Sequence, residues 1–175
     1  MNIKVVNILW EKYPFALDEI KKLDQEKHHG LYQIYADHPV YGLNRLIYIG
    51  KANQQTFSAR LGERQEYYDF IETILNPTYL HIGMLAESDE ITLEERDEMI
   101  DKIEVILIKS NLPALNASGV RTLLPKETEP ILVLNWEEYG ELTPEASSIR
   151  VSYKYWDNTK ILSDKHAKHK QAILY

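Results

Sequence analysis

The 175-residue chain is 44% hydrophobic and carries a formal net charge of −7, which suits one domain with appendages and is neither a disordered nor a membrane composition. The absence of cysteine excludes disulfide scaffolds and thiolate metal sites, and no apolar run approaches the roughly 20 residues a membrane span needs. The opening MNIKVVNILWEKY lacks the apolar core and cleavage site of a signal peptide, so an intracellular, cytoplasmic protein is expected.

Charge is unevenly spread. Met1 to Ile149 carries 14 basic against 25 acidic residues, whereas Arg150 to Tyr175 carries 6 against 2. The acidic body argues against a non-specific nucleic-acid binder, which needs a basic face. The basic end, with Tyr153, Tyr155, Trp156 and the KHAKHK run from Lys165 to Lys170, suits either a phosphate backbone or a solvated terminal helix.

After an extended start, Leu9 to His29 reads as a helix, with Phe15, Leu17, Ile20 and Leu23 near helical spacing. LYQIY (Leu31–Tyr35) and LIYIG (Leu46–Gly50) read as two strands of a hairpin, joined by turn residues Asp37, Pro39, Gly42 and Asn44. Strand alternation allows Tyr32 and Tyr48 to share one side of the sheet, although 12 tyrosines in the chain make a strand tyrosine unremarkable by itself.

A polar loop follows Gly50, and from about Thr56 the spacing of Phe57, Leu61, Tyr68, Ile71 and Leu75 predicts a helix closed by Pro77, with Gly62 as a point of division. Arg60 and Arg64 lie four apart and so on one face of a continuous helix. Two guanidinium forks beside two phenols suit a phosphate; the same pair could instead bridge Glu63 and Glu66 on the surface. Tyr79–Leu85 reads as a third strand.

The stretch from Ser88 to Pro113 gives the clearest helix, with Thr92 and Glu95 in a capping-box pattern and Pro113 as the stop. Glu104 falls about 40° from Ile100, inside the apolar stripe of Ile100, Ile103 and Leu107. A carboxylate there needs an arginine or a cation as partner, unless it sits at the boundary and reaches water. That makes Glu104 the best metal-ligand candidate, while Glu94, Glu95, Asp97, Glu98 and Asp101 read as solvated. Beyond the turn at Pro113–Asn116, Ile131–Trp136 and Ile149–Trp156 read as strands and Leu162–Leu174 as a last helix.

Taken in order, Gly30-Leu31-Tyr32, Tyr48-Ile49-Gly50 and Lys51-Ala52-Asn53 resemble the two motifs of the GIY-YIG nuclease family and their continuation in its excision-repair branch. The resemblance covers about Gly30 to Asn116. It implies an α+β fold with a small three-stranded antiparallel sheet flanked by helices, here with an N-terminal helix and a C-terminal α/β extension. The corresponding division is an N-terminal extension over 1–29, a catalytic domain over 30–118, and a substrate-binding or dimerisation element over 119–175.

The resemblance also implies roles. Tyr32, Tyr48, Arg60 and Glu104 would be catalytic, with Lys51, Arg64 and Asn116 binding phosphate or supporting the site. Glu104 would hold one Mg²⁺ or Mn²⁺ through oxygen. Arg60 would stabilise phosphate charge, and Tyr32 or a metal hydroxide would activate water. A phenolate base at neutral pH would need Lys51, an arginine or the metal to lower its pKa. Asn116 would be structural, holding the turn after the helix to the site. Where the restriction-enzyme branch can place a histidine one turn after the helix arginine, this chain has Arg64, which cannot act as a base. The implied activity is metal-dependent endonucleolytic cleavage of DNA, with RNA also open, and double-strand cutting would call for a homodimer. Two other classes fit the same residues: a catalytically silent nucleic-acid- or protein-binding module, and a hydrolase of small phosphodiesters.

Overall fold

The computed structural model describes residues 3–24, 29–63, 75–86, 91–116, 120, 122, 124 and 129–151. Burial alternates along the first of them: Val6, Ile8 and Trp10 are inside and Val5, Leu9 and Glu11 outside, the period of a strand. This strand, β1 (Lys4–Pro14), is followed by a short helix, α1 (Leu17–Lys21), then by β2 (Gly30–His38), β3 (Gly42–Ala52), α2 (Phe57–Glu63) and β4 (Pro77–Leu85). Next comes the long helix α3 (Leu93–Asn111), then β5 (Ile131–Glu137), β6 (Glu145–Ser147) and a single turn, α4 (Ser148–Val151).

Among the described residues the six strands form one mixed sheet in the order β3-β2-β4-β1-β5-β6, curled into a half-barrel. β1 runs antiparallel to β4 and parallel to β5, and every other neighbouring pair is antiparallel. Helix α3 packs on one face, where Ile100, Ile103, Ile106 and Leu107 meet Trp10, Leu31 and Ile49. On the other face α1 and α2 bring Ile20, Phe57 and Leu61 against Tyr32, Ile34 and Ile82. Helix α3 starts as its sequence directs: Thr92 Oγ1 accepts from the Glu95 amide while the Glu95 carboxylate accepts from the Thr92 amide and hydroxyl.

Several expectations are corrected. The three-stranded antiparallel sheet is overturned: β2, β3 and β4 are only one half of a six-stranded mixed sheet, because β1 pairs along β4 and carries β5 and β6 with it. The fold remains α+β. The N-terminal helix over Leu9–His29 is a strand as far as Pro14, with five helical residues after it. Its period-two burial outweighs the spacing of Phe15, Leu17, Ile20 and Leu23, of which Leu17 is exposed. Helical structure ends at Leu75, two residues before Pro77, and Pro77 is itself the first residue of β4. The strand expected at Ile149–Trp156 is a helical turn through Val151, while β6 lies just before it. Arg64, Tyr68, Ile71 and the expected helix over Leu162–Leu174 lie outside the described residues.

Candidate functional site

Strand β3 lies at the edge of the sheet, and its central residues carry most of the candidate site. In the β2–β3 ladder Tyr32 stands opposite Gly50 and Ile34 opposite Tyr48, but Tyr35 stands opposite Leu46, so Ile47 is an extra, bulged residue. From Tyr48 onward the register is regular, so Tyr48 and Gly50 share the α2 face with Tyr32, while Ile49 and Lys51 leave the strand on the α3 face. The Tyr32 and Tyr48 rings have centroids 5.9 Å apart, and Phe57 of α2 meets Tyr32 edge-on at 6.5 Å. A Cβ on Gly50 would run into the Tyr32 ring and stand 2.7 Å from Tyr48 Cε1, so the glycine makes room for both phenols. Tyr32 is wholly buried and Tyr48 half-buried, which leaves Tyr48 as the ring that solvent reaches.

Arg60 sits on α2 between the buried Phe57 and Leu61 and is itself half-buried, on the tyrosine side of the sheet. Arg64 lies outside the described residues.

Across the strand, Lys51 meets the carboxylates of α3. Its Nζ is 2.8 Å from Glu104 Oε2 and 3.0 Å from Asp101 Oδ1. Asn53 Nδ2 donates to Asp101 Oδ1 at 2.8 Å and to the Asp97 carbonyl at 3.2 Å. Burial pulls the Lys51 ammonium down, but the hydrogen bond and charge of Glu104, and then those of Asp101, outweigh it and raise its pKa. The misplaced carboxylate of the α3 stripe thus has a lysine partner, and the Glu104 side chain keeps 17% of its surface exposed. Lys51 lies on the far side of β3 from the phenols, so it does not serve to ionise them.

Asn116 joins the two sides. Its Oδ1 accepts from the Ile49 amide and its Nδ2 donates to the Ile49 carbonyl, both at 2.8 Å, as a neighbouring strand would. The Leu115 amide adds a bond to the Ile47 carbonyl at 2.9 Å. The exit of α3 is thereby fastened to the edge of Tyr48-Ile49-Gly50. Sequence reading left Asp101 among the solvated acids. The signal that could have found it is its position three residues before Glu104, one turn away on the same side of the helix.

A divalent cation fits the donor set in one respect: Asp101 and Glu104 converge on a single positive charge, the Lys51 ammonium. Asn53 presents a donor, Nδ2, to Asp101 Oδ1, as it would to a carboxylate paired with a lysine. Among the described residues no three His, Asp or Glu side chains form a ready-made metal cage. Mg²⁺ commonly takes only one or two carboxylates and keeps the rest of its waters.

Comparison with protein-family models, with curated proteins and with solved structures finds no match to this chain. Among the described residues no helix is long and apolar enough to cross a membrane.

Proposed function

We propose that the edge of β3 is the active site of a divalent-metal-dependent endonuclease of the GIY-YIG kind, hydrolysing phosphodiester bonds in DNA. The observation that carries this reading is the pairing of Tyr32 with Tyr48 on the face of β3 that α2 and its Arg60 cover, with Asn116 fastening Ile49 at the strand edge. Glu104 and Asp101 lie with Lys51 on the opposite face.

Each residue then has a part. Tyr48, the accessible phenol, orients the attacking water or a phosphate oxygen, and the buried Tyr32 ring backs it. Arg60 neutralises charge that builds on the phosphate, where a well-placed donor contributes about 3 kcal/mol. Glu104 and Asp101, on the α3 face, would hold Mg²⁺ or Mn²⁺, which would supply Lewis acidity. Asn116 keeps the strand carrying Tyr48 in register with the helix carrying Glu104.

The test is incubation of the purified chain with supercoiled plasmid, and separately with single-stranded RNA, in Mg²⁺, Mn²⁺ or EDTA. Wild type is expected to nick or linearise the plasmid only with metal, and Glu104→Ala and Arg60→Ala to lose at least about 100-fold of that rate. Equal traces for wild type and Glu104→Ala would sink the DNA nuclease, and cleavage of RNA alone would reassign its substrate. A second reading, a catalytically silent binding module, draws on Tyr32 being wholly buried and Glu104 being already paired by Lys51. Metal-independent retention of DNA in a gel shift without cleavage is its signature.

A further inference from the structure

We propose that the outward side of β1 and β5, on the α2 face of the sheet, is a docking surface, and that its occupant is residues 152–175 of this chain, which follow the described part. The inference stands apart from the nuclease reading and uses none of its residues.

The two faces of the sheet are covered unequally. Under α3, Val6, Ile8, Trp10, Ile131 and Val133 are all buried. On the other face α1 and α2 bury Tyr32, Ile34, Leu80 and Ile82 of β2 and β4, and among the described residues no helix covers β5 or β1 from Val5 to Leu9. Alternation turns Val5, Asn7 and Leu9 outward there, and the parallel register sets them beside Leu132, Leu134 and Trp136 in turn. Val5 is 49% exposed, Leu9 37% and Trp136 50%. The last row runs on to Met84 of β4, which stands opposite Leu9 and packs against the α2-side core. Single exposed apolar residues are ordinary, whereas a contiguous sheet face that continues a core marks a binding surface. Its polar member is engaged within the face, since Trp136 Nε1 donates to Asn7 Oδ1 at 3.0 Å.

Charge selects the occupant. Glu145 of β6 stands opposite Leu134, and Glu11 follows Leu9 on the same side of β1; both are exposed, while alternation sends Lys4 and Lys12 to the other face. An acidic margin repels a phosphate backbone. A second copy would bring the same two carboxylates to the interface, with no cation from these strands to meet them. Apolar groups accompanied by positive charge fit both the face and its margin. Residues 152–175 supply them, with Tyr153, Tyr155, Trp156, Ile161 and Leu162 and with five lysines against two aspartates. They also start close by. β6 is the outermost strand, next to β5, and α4 follows it directly, so the chain beyond Val151 has only to round the β6 edge to meet Leu134 and Trp136. At about 3.3 Å per extended residue, a few residues make that turn and the rest suffice to cross three strands spaced about 4.8 Å apart.

The chain has no cysteine, so Leu9→Cys puts a single thiol on this face of the full chain. The thiol is tagged with a benzophenone maleimide, an equal mixture of isotopically light and heavy chains is irradiated, and the attachment points are located by mass spectrometry. Attachment is expected within residues 152–175, joining light to light and heavy to heavy, and lost in urea. Reversing the margin with Glu11→Lys and Glu145→Lys together should lower that yield roughly threefold or more. The same tag on Glu98→Cys, an exposed position of α3, should reach this segment far less. Light-to-heavy products would give the face to a second copy and overturn the proposal. Attachment only elsewhere in the chain, or none, overturns it as well. So does a yield that charge reversal leaves unchanged, or one matched from Glu98→Cys. If Leu9→Cys does not fold, Val5→Cys is read in its place against the same expectations.

Discussion

Gly50 shows how one missing methyl group can make room for two rings. Its backbone needs no left-handed conformation, unlike Gly42 at φ 101° or Gly140 at φ 62°, so the constraint is crowding by the Tyr32 and Tyr48 rings. Tyr32 is wholly buried and cannot swing outward, which makes Gly50→Ala an overpacking change costing about 1–3 kcal/mol. A urea midpoint lowered at unchanged slope would bear this out, and an unchanged midpoint would mean the rings yield freely. A second residue carries a pH dependence. His81 is buried with Nδ1 against the Glu138 carbonyl and its ring 4.7 Å from that of Tyr35. Burial lowers its pKa most, the Glu138 carbonyl opposes that, and the Lys12 charge lowers it further. The folded state thus resists the proton that the unfolded chain accepts near 6.5. The stability of the neutral form is complete above that pH and is lost as pH falls through the lower folded value. Wild type should therefore lose stability relative to His81→Asn, which cannot titrate, as pH drops below 6.5. A difference that stays constant with pH would refute it.

At the scale of elements, fastenings between side chains and backbone matter as much as the ladders. The loop from Glu138 to Thr143 is latched to β2 by Tyr35, whose hydroxyl donates to Gln33 and accepts from the Glu141 amide, while the Glu141 carboxylate takes Arg45 and the Leu46 amide. Asn116 is the corresponding fastening for β3. Asn116→Ala leaves the Ile49 amide and carbonyl without partners in a place closed to water, at a cost of roughly 2–4 kcal/mol. Hydrogen exchange at the Ile49 amide should accelerate together with the loss of stability, and exchange as slow as in wild type would mean another group replaces the asparagine.

These fastenings explain what sequence could and could not convey. Helix α3 is legible because its capping box, its apolar stripe and Pro113 all lie within one short stretch. β1 is not, because its burial is set by β5 at the far end of the described chain, and the stretch after it mimics helical spacing. Glu104 is legible as a charge out of place. Its partner is not, since the packing of α3 over the face from which Lys51 leaves β3 is a long-range contact that no local pattern encodes.

For the whole molecule the decisive feature is that β1 sits inside the sheet, between β4 and β5, with Lys4 opposite Ile131 and Trp10 opposite both Gly83 and Glu137. The stretches 1–29, 30–118 and 119–175 therefore contribute to one sheet and, beneath α3, to one core: Val6, Ile8 and Trp10 come from the first, Ile100 and Ile103 from the second, Ile131 and Val133 from the third. A fragment of residues 30–118 keeps Tyr32, Tyr48, Arg60, Glu104 and Asn116 but exposes the inner face of α3 and the edge of β4. Unpaired strand edges and an uncovered apolar helix face favour association over a unique fold. Residues 30–118 alone are expected to show no cooperative urea transition by circular dichroism and to aggregate, whereas the full chain unfolds in one step. Adding a peptide of residues 1–15 should not rescue the fragment, because β1 takes its second partner from β5, which the fragment lacks. A single cooperative transition in residues 30–118 would show instead that β2, β3, β4 and α3 form a self-sufficient unit to which the other strands are added.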